Sequence, residues 1–230
     1  MKICGFQKLT LLDYPGKTAA TVFTGGCNFR CPFCHNGDLV LSHNDMGEIK
    51  EIEIFDTLRR RQGFLDGVCI TGGEPLMWQD TEELIKDIKD MGYLVKLDTN
   101  GSYPDRLERI LLSGNVDYVA MDIKSCLASY PKTVGLESFD TAPIEKSVEL
   151  LKNSGIDHEF RTTLVKNLHT ENDMEEIGAW LKGEKNYFLQ AFKKSDNVID
   201  DTMEGFEKEE LDKMLEIVRK YIPTAQLRGV

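Results

Sequence analysis

Three cysteines in one short stretch constrain this chain more than any other feature. Residues 25–36 read G-G-C-N-F-R-C-P-F-C-H-N and set Cys27, Cys31 and Cys34 in a C-x3-C-x2-C array. Thiolates this close together can hold one metal centre, yet three fall short of the four that bind an ordinary iron–sulfur cluster. A cluster held by three cysteines leaves one iron open to an outside ligand. The competing arrangement is a closed zinc site with His35 as fourth ligand. Zinc sites usually separate two cysteines by two residues and add a second ligand pair a dozen or more residues on. Here the first gap is three residues and no second pair follows. His35 also adjoins Cys34, which makes tetrahedral ligation by both awkward. The spacing favours a cluster over zinc or free thiols.

The other cysteines, Cys4, Cys69 and Cys126, are scattered singly. Cys69 lies in the apolar run V-C-I and reads as core packing. No further close cysteines exist for a second cluster. A net charge of −11 and a pI near 4.9 argue against the basic surface that non-specific nucleic-acid binding needs. No nucleic-acid partner is therefore expected. The opening M-K-I-C-G-F-Q-K-L-T has no apolar run of signal-peptide length. No stretch approaches the roughly 18 apolar residues of a membrane helix. The expected setting is cytoplasmic, where thiols stay reduced, with no membrane partner.

Along the chain, residues 3–10 and 19–24 read as strands joined by the Asp13-Tyr14-Pro15-Gly16 turn. The cysteine loop follows, with a short helix expected near Pro32 and polar loop over 38–50. Residues 52–65 carry Ile54, Phe55 and Leu58 at helical spacing and should end at Gly63 or Gly67. A regular alternation then begins. Strands are expected at 67–71, 94–98, 118–123, 158–165 and 187–192. Helices are expected at 81–91, 105–112, 144–153, 172–181 and 208–221. Strands alternating with helices of this length imply a parallel sheet. A closed eight-unit barrel takes about 250 residues, whereas this chain offers about six units. The expected fold is α/β, a partial, laterally open (βα)6 barrel of the TIM type; a flat doubly wound sheet is the alternative. Residues 1–230 are expected to form a single domain: an N-terminal strand and turn (1–18), the barrel core (19–192) and a C-terminal helix (193–230).

In either architecture ligands gather at the carboxyl ends of the strands. Those ends carry the cysteine loop, T-G-G-E-P (Thr71–Pro75), D-T-N-G (Asp98–Gly101) and D-I-K (Asp122–Lys124), with Arg161 and Gln190 on the last two strands. Each motif alone could be a turn or a helix cap. Together, and in order behind the cysteines, they read as one site.

The array, with Phe33 just before the last cysteine, resembles the signature of the radical S-adenosylmethionine (SAM) family. T-L-L-D-Y-P-G upstream and C-H-N downstream narrow the resemblance to the activating enzymes of glycyl radical enzymes. It is nearest the branch that serves anaerobic ribonucleoside-triphosphate reductase; pyruvate formate-lyase activating enzyme is a further relative. The resemblance runs from about Cys4 to Phe192. It implies a 4Fe-4S cluster on Cys27, Cys31 and Cys34, with the SAM amine and carboxylate on the open iron. It further implies that Gly72, Gly73 and Glu74 form the amine-binding turn, Glu74 either bonding the ligand or fixing the turn. Asp98 and Thr99 would lie near the headgroup, Asp122 and Lys124 near the ribose and carboxylate, and Phe33 and His35 against the adenine. A monovalent cation shares these oxygens in relatives. Asp13 and Arg161 match residues that hold the substrate's glycine loop, an internal Asp13–Arg161 ion pair being the other reading. One departure stands out: pyruvate formate-lyase activating enzyme has a histidine on its last strand, where this chain reads L-Q-A-F (Leu189–Phe192).

The activity implied is reductive cleavage of SAM, by an electron from flavodoxin or ferredoxin, to methionine and a 5′-deoxyadenosyl radical. That radical takes a hydrogen from a glycine of the partner enzyme. No catalytic side chain beyond the cluster ligands is expected. A radical SAM enzyme acting on a small molecule, of the deazapurine synthase kind, is the alternative. The short D-D-T-M-E-G-F connection (200–206) leaves little chain to cap such a pocket. A zinc-stabilised binding module is the remote third reading.

Overall fold

Alternating buried runs and capped amphipathic segments produce eight strands and eight helices in a computed structural model that describes all 230 residues. The strands are β1 (Ile3–Thr10), β2 (Ala19–Thr24), β3 (Gly67–Gly72), β4 (Leu94–Thr99), β5 (Tyr118–Asp122), β6 (Asp157–Leu164), β7 (Tyr187–Ala191) and β8 (Gln226–Arg228). The helices are α1 (Gly37–Leu41), α2 (Glu51–Arg60), α3 (Thr81–Asp90), α4 (Pro104–Ser113), α5 (Tyr130–Thr133), α6 (Ala142–Ser154), α7 (Glu171–Trp180) and α8 (Lys208–Arg219). Strand order follows chain order from β1 to β8. None of the helices is long and apolar enough to cross a membrane.

The chain forms two compact units, each assembled from separate segments. The first comprises Met1–Asn28, Asp38–Ala120 and Pro143–Asp157. In it β1 runs antiparallel to β2, and β2, β3 and β4 are parallel. Val22, Val68, Ile70, Val95 and Leu97 are wholly buried on these strands. Strands covered on both faces read as continuous apolar runs, which is why β3 was plain in the sequence. Helix α3 buries Leu84, Ile85 and Ile88. Helix α4 starts on Pro104 and stops at the left-handed Gly114, the usual proline-first, glycine-last asymmetry.

The second unit comprises Phe29–Gly37, Met121–Ala142 and His158–Val230. Strands β6, β7 and β8 are parallel neighbours in it. Phe160, Leu164, Tyr187 and Leu189 are fully buried there, with Met174 and Ile177 of α7 and Val218 of α8. Thr170 caps α7 by accepting from the Asp173 amide while Asp173 reaches back to the cap, a capping box.

Four local expectations fail. No helix begins near Pro32; a turn forms instead, closed by the Cys34 amide on the Cys31 carbonyl at 3.0 Å. The expected loop over 38–50 opens with α1, which buries Leu39 and Val40 and carries Asp38 in its first turn. Helix α2 ends at Arg60, short of Gly63, because the Arg61 amide turns back to Leu58 at 2.9 Å. Helix α5 and strand β8 are too short to leave a periodic signal.

Candidate active site

In the first unit the strand ends lie in register. Thr24 pairs with Gly72 across β2 and β3, and Ile70 with Leu97 across β3 and β4. The glycine turn after β3 then locks onto the chain leading to Cys27. The Gly73 amide donates to the Thr24 carbonyl and the Glu74 amide to the Gly26 carbonyl, both at 2.8 Å. Only glycine fits here. Gly72 has φ +115°, and a Cβ on Gly73 would lie 1.8 Å from the Gly26 oxygen. Gly73→Ala is therefore expected to cost about 3 kcal/mol or more, as overpacking against backbone. Chemical denaturation checks this.

Glu74 is fully buried at the centre of this turn. One carboxylate oxygen accepts from the Leu76 amide (3.0 Å) and the Thr99 hydroxyl (2.8 Å), the other from the Asn100 amide (2.7 Å). A buried carboxylate with several N–H and O–H donors is stable and fixed. The geometry supports the turn-fixing role among the two considered for Glu74. Thr99, 3% exposed, is held on Glu74 and also accepts from the Gly101 amide.

Asn100 carries this order to the first cysteine. Its Nδ2 donates to Asn28 Oδ1 at 3.0 Å and lies 3.8 Å from Cys27 Sγ. Ser102 donates to Asn100 Oδ1 through both its amide and its hydroxyl, and Asn28 donates to Ser102 Oγ. Asn28 and Ser102 lie outside the motifs singled out from the sequence, and Asn100 enters only as part of D-T-N-G. Their signal was the asparagine inside D-T-N-G and the one directly after Cys27.

Asp98 takes a hydrogen bond from Thr71 Oγ1 at 3.3 Å and forms an ion pair with Lys96. The Lys96 side chain is 2% exposed and that of Asp98 14%. Lys96 went unnoticed in the sequence because a lysine in a strand is ordinarily a solvent-facing residue. Removing one partner of a buried pair costs about 3–5 kcal/mol. Lys96→Met is thus expected to destabilise the fold by that order, and Lys96→Met/Asp98→Asn to recover most of it in denaturant titrations. Asp13 accepts from the Thr21 hydroxyl at 2.5 Å.

The second unit holds the rest of the expected residues. Asp122 accepts from Lys124 Nζ and from Arg161 Nε, both at 2.9 Å. Burial works against the Asp122 charge, yet Arg161 and Lys124 outweigh it and hold this carboxyl well below the usual range. Burial likewise disfavours the Lys124 ammonium. Asp122 and the nearby sulfurs of Cys31 and Cys34 overcome that and keep it above its ordinary pKa. The Lys124 carbonyl accepts from His169 Nε2 at 2.8 Å, while His169 Nδ1 accepts from the Val165 amide at 3.1 Å. Those two bonds define a neutral tautomer, and burial lowers the pKa of this histidine. Phe33, 4% exposed, packs edge-on to His169. His35 Nε2 donates to the Lys193 carbonyl at 2.7 Å, and its ring lies 5.2 Å from that of Phe192. The aromatic residue of L-Q-A-F thus sits beside His35.

No three His, Cys, Asp or Glu side chains gather to hold a metal ion within either unit. Cys27 belongs to the first unit, Cys31 and Cys34 to the second. All three are free of disulfides. The Lys124 ammonium lies within electrostatic reach of the Cys31 and Cys34 sulfurs. Three cysteines outside disulfides supply the kind of sulfur donor that an iron–sulfur cluster takes.

Residues 21–181 match the family described as the Radical SAM superfamily. A Methanocaldococcus jannaschii protein with the provisional name glycyl-radical enzyme activating enzyme is 32% identical, covering 99% of this chain and 96% of its own. The pyruvate formate-lyase-activating enzyme of Clostridium pasteurianum is 32% identical, covering 54% of this chain and 52% of its own. Among solved structures, a radical SAM methyltransferase from Sphaerobacter thermophilus superposes with a TM-score of 0.74 at 18% identity. That match covers 96% of this chain and 68% of the other. It shows the fold, the parallel-stranded partial barrel that the strand–helix alternation implied.

Proposed function

The chain belongs to the radical SAM superfamily, and we propose that this enzyme generates a glycyl radical on a partner protein. The full-length likeness to the M. jannaschii protein carries the reading. Anaerobic ribonucleoside-triphosphate reductase is the partner favoured by the D-Y-P-G turn and by the lack of a histidine on β7. Cys27, Cys31 and Cys34 would hold a 4Fe-4S cluster, which would supply the electron for reductive cleavage of SAM to methionine and a 5′-deoxyadenosyl radical able to take the glycine hydrogen.

The protein contributes binding, orientation and exclusion of water. The Gly72–Gly73 turn offers its backbone to the SAM amine. Glu74 holds that turn rigid. Asp98 and Thr99 serve the headgroup, and Lys96 gives Asp98 a tethered counter-cation. Asp122 binds ribose hydroxyls and Lys124 the SAM carboxylate. Phe33 and His35 flank the adenine. Asp13 and Arg161 hold the incoming glycine loop. A flavodoxin or ferredoxin in the cytoplasm supplies the electron.

The test is anaerobic incubation of reconstituted, reduced enzyme and SAM with candidate glycyl radical enzymes, read by electron paramagnetic resonance. A glycine-centred doublet on the reductase supports the reading. A doublet on another partner revises the partner alone. Turnover of SAM with a small molecule, and no doublet on any protein, rejects it.

A further inference from the structure

Arg161, on β6 of the second unit, stands between two carboxylates. Its Nε donates to Asp122 Oδ1 at 2.9 Å, while its Nη1 lies 3.9 Å from Glu159 Oε1 on the same strand. Glu159 is 1% exposed, so its charge must be balanced inside the protein. Arg228 balances it with a two-pronged bridge, Nη1 to Oε1 at 2.9 Å and Nη2 to Oε2 at 2.8 Å. The Arg228 guanidinium also lies 3.3 Å from the centre of the Phe188 ring. A bidentate, stacked arginine is a geometry that lysine cannot reproduce. Arg228 comes from β8, the strand that the sequence did not reveal, and is in register with Gln190 of β7. The result is a row of alternating charges: Lys124, Asp122, Arg161, Glu159, Arg228.

We propose that Arg228 is a positioning residue: by saturating Glu159 it keeps Arg161 on Asp122, so that the Asp122 carboxylate stays aimed at the bound nucleotide. The inference rests on the reading of Asp122 as a SAM contact. Without Arg228, Glu159 is a buried carboxylate that has lost its two-pronged partner, less than 4 Å from the Arg161 guanidinium. Arg161 then swings to Glu159, and Asp122 loses a charge-assisted hydrogen bond. Glu159 is therefore a competitor that Arg228 silences rather than a contributor to binding.

This account predicts an asymmetry that a simple structural ion pair lacks. SAM cleavage by the reconstituted enzyme with dithionite is measured for wild type, Arg228→Met, Glu159→Gln and the double variant. The readout needs no protein partner. Arg228→Met is expected to raise KM for SAM about ten-fold, the worth of one charged hydrogen bond, with kcat within about two-fold. Glu159→Gln and Glu159→Gln/Arg228→Met are expected to stay within about three-fold of wild type, because the competing anion is gone. Should Arg228→Met fail to fold, the Glu159→Gln result still decides. Equal impairment of Glu159→Gln, or a double variant as poor as Arg228→Met, overturns the proposal. A wild-type enzyme that does not cleave SAM overturns the functional reading itself, and this proposal with it.

Discussion

Cys31→Ala is expected to reduce 5′-deoxyadenosine formation to background, a loss of more than about a hundred-fold, since even outer-shell partners of a metal ligand are worth 10–100-fold. Cys31 is 6% exposed and closes the turn that sets Cys34. Its loss would remove one of the three proposed cluster ligands. Cys69→Ala is the control. Cys69 is wholly buried in β3 and belongs to the core, so its replacement should cost stability of about 1 kcal/mol and leave SAM cleavage in place. Liquid chromatography of the nucleoside product separates the two. Substantial product from Cys31→Ala would mean that the ligand assignment is wrong.

The second large effect concerns Glu74. Truncation to alanine leaves the Leu76 amide, the Thr99 hydroxyl and the Asn100 amide without their shared acceptor. Each buried donor left unsatisfied costs about 1–3 kcal/mol, so Glu74→Ala is expected to destabilise the fold by several kcal/mol. The turn at Gly72–Gly73 and the Asn100–Cys27 link should loosen together, because Glu74 joins them. Affinity for SAM should fall along with stability. Glu74→Gln keeps one carbonyl acceptor and is expected to lie between wild type and Glu74→Ala. Denaturant titration and equilibrium SAM binding give the two numbers. A Glu74→Ala variant with unchanged stability and lost SAM affinity would instead make Glu74 a ligand contact.

The strand–helix rhythm is readable where a parallel strand is a short apolar run, as in β3, and where a helix carries its own stop, as at Gly114 after α4. The site motifs were readable because cysteine spacing and paired glycines have few other uses. What the sequence hid is the layer that holds those motifs. Lys96 and Glu159 look like surface charges until the fold buries them beside their partners, Asp98 and Arg228. Arg228 is 67 residues beyond Arg161 in the chain and only the β6–β7–β8 order brings it near. His169 likewise joins Val165 to the Lys124 carbonyl across 45 residues. Pairings of that range leave no local pattern. The turn at Cys31–Cys34 was misread as a helix start because Pro32 suits both.

The proposed chemistry needs an iron that the polypeptide leaves open for SAM. Mössbauer spectroscopy of enzyme reconstituted anaerobically with iron-57, recorded before and after SAM is added, tests for it. The expected result is a 4Fe-4S cluster in which one iron site changes on SAM binding while the other three stay as they were. Four iron sites that ignore SAM, or a protein that takes up zinc and no iron, would contradict it.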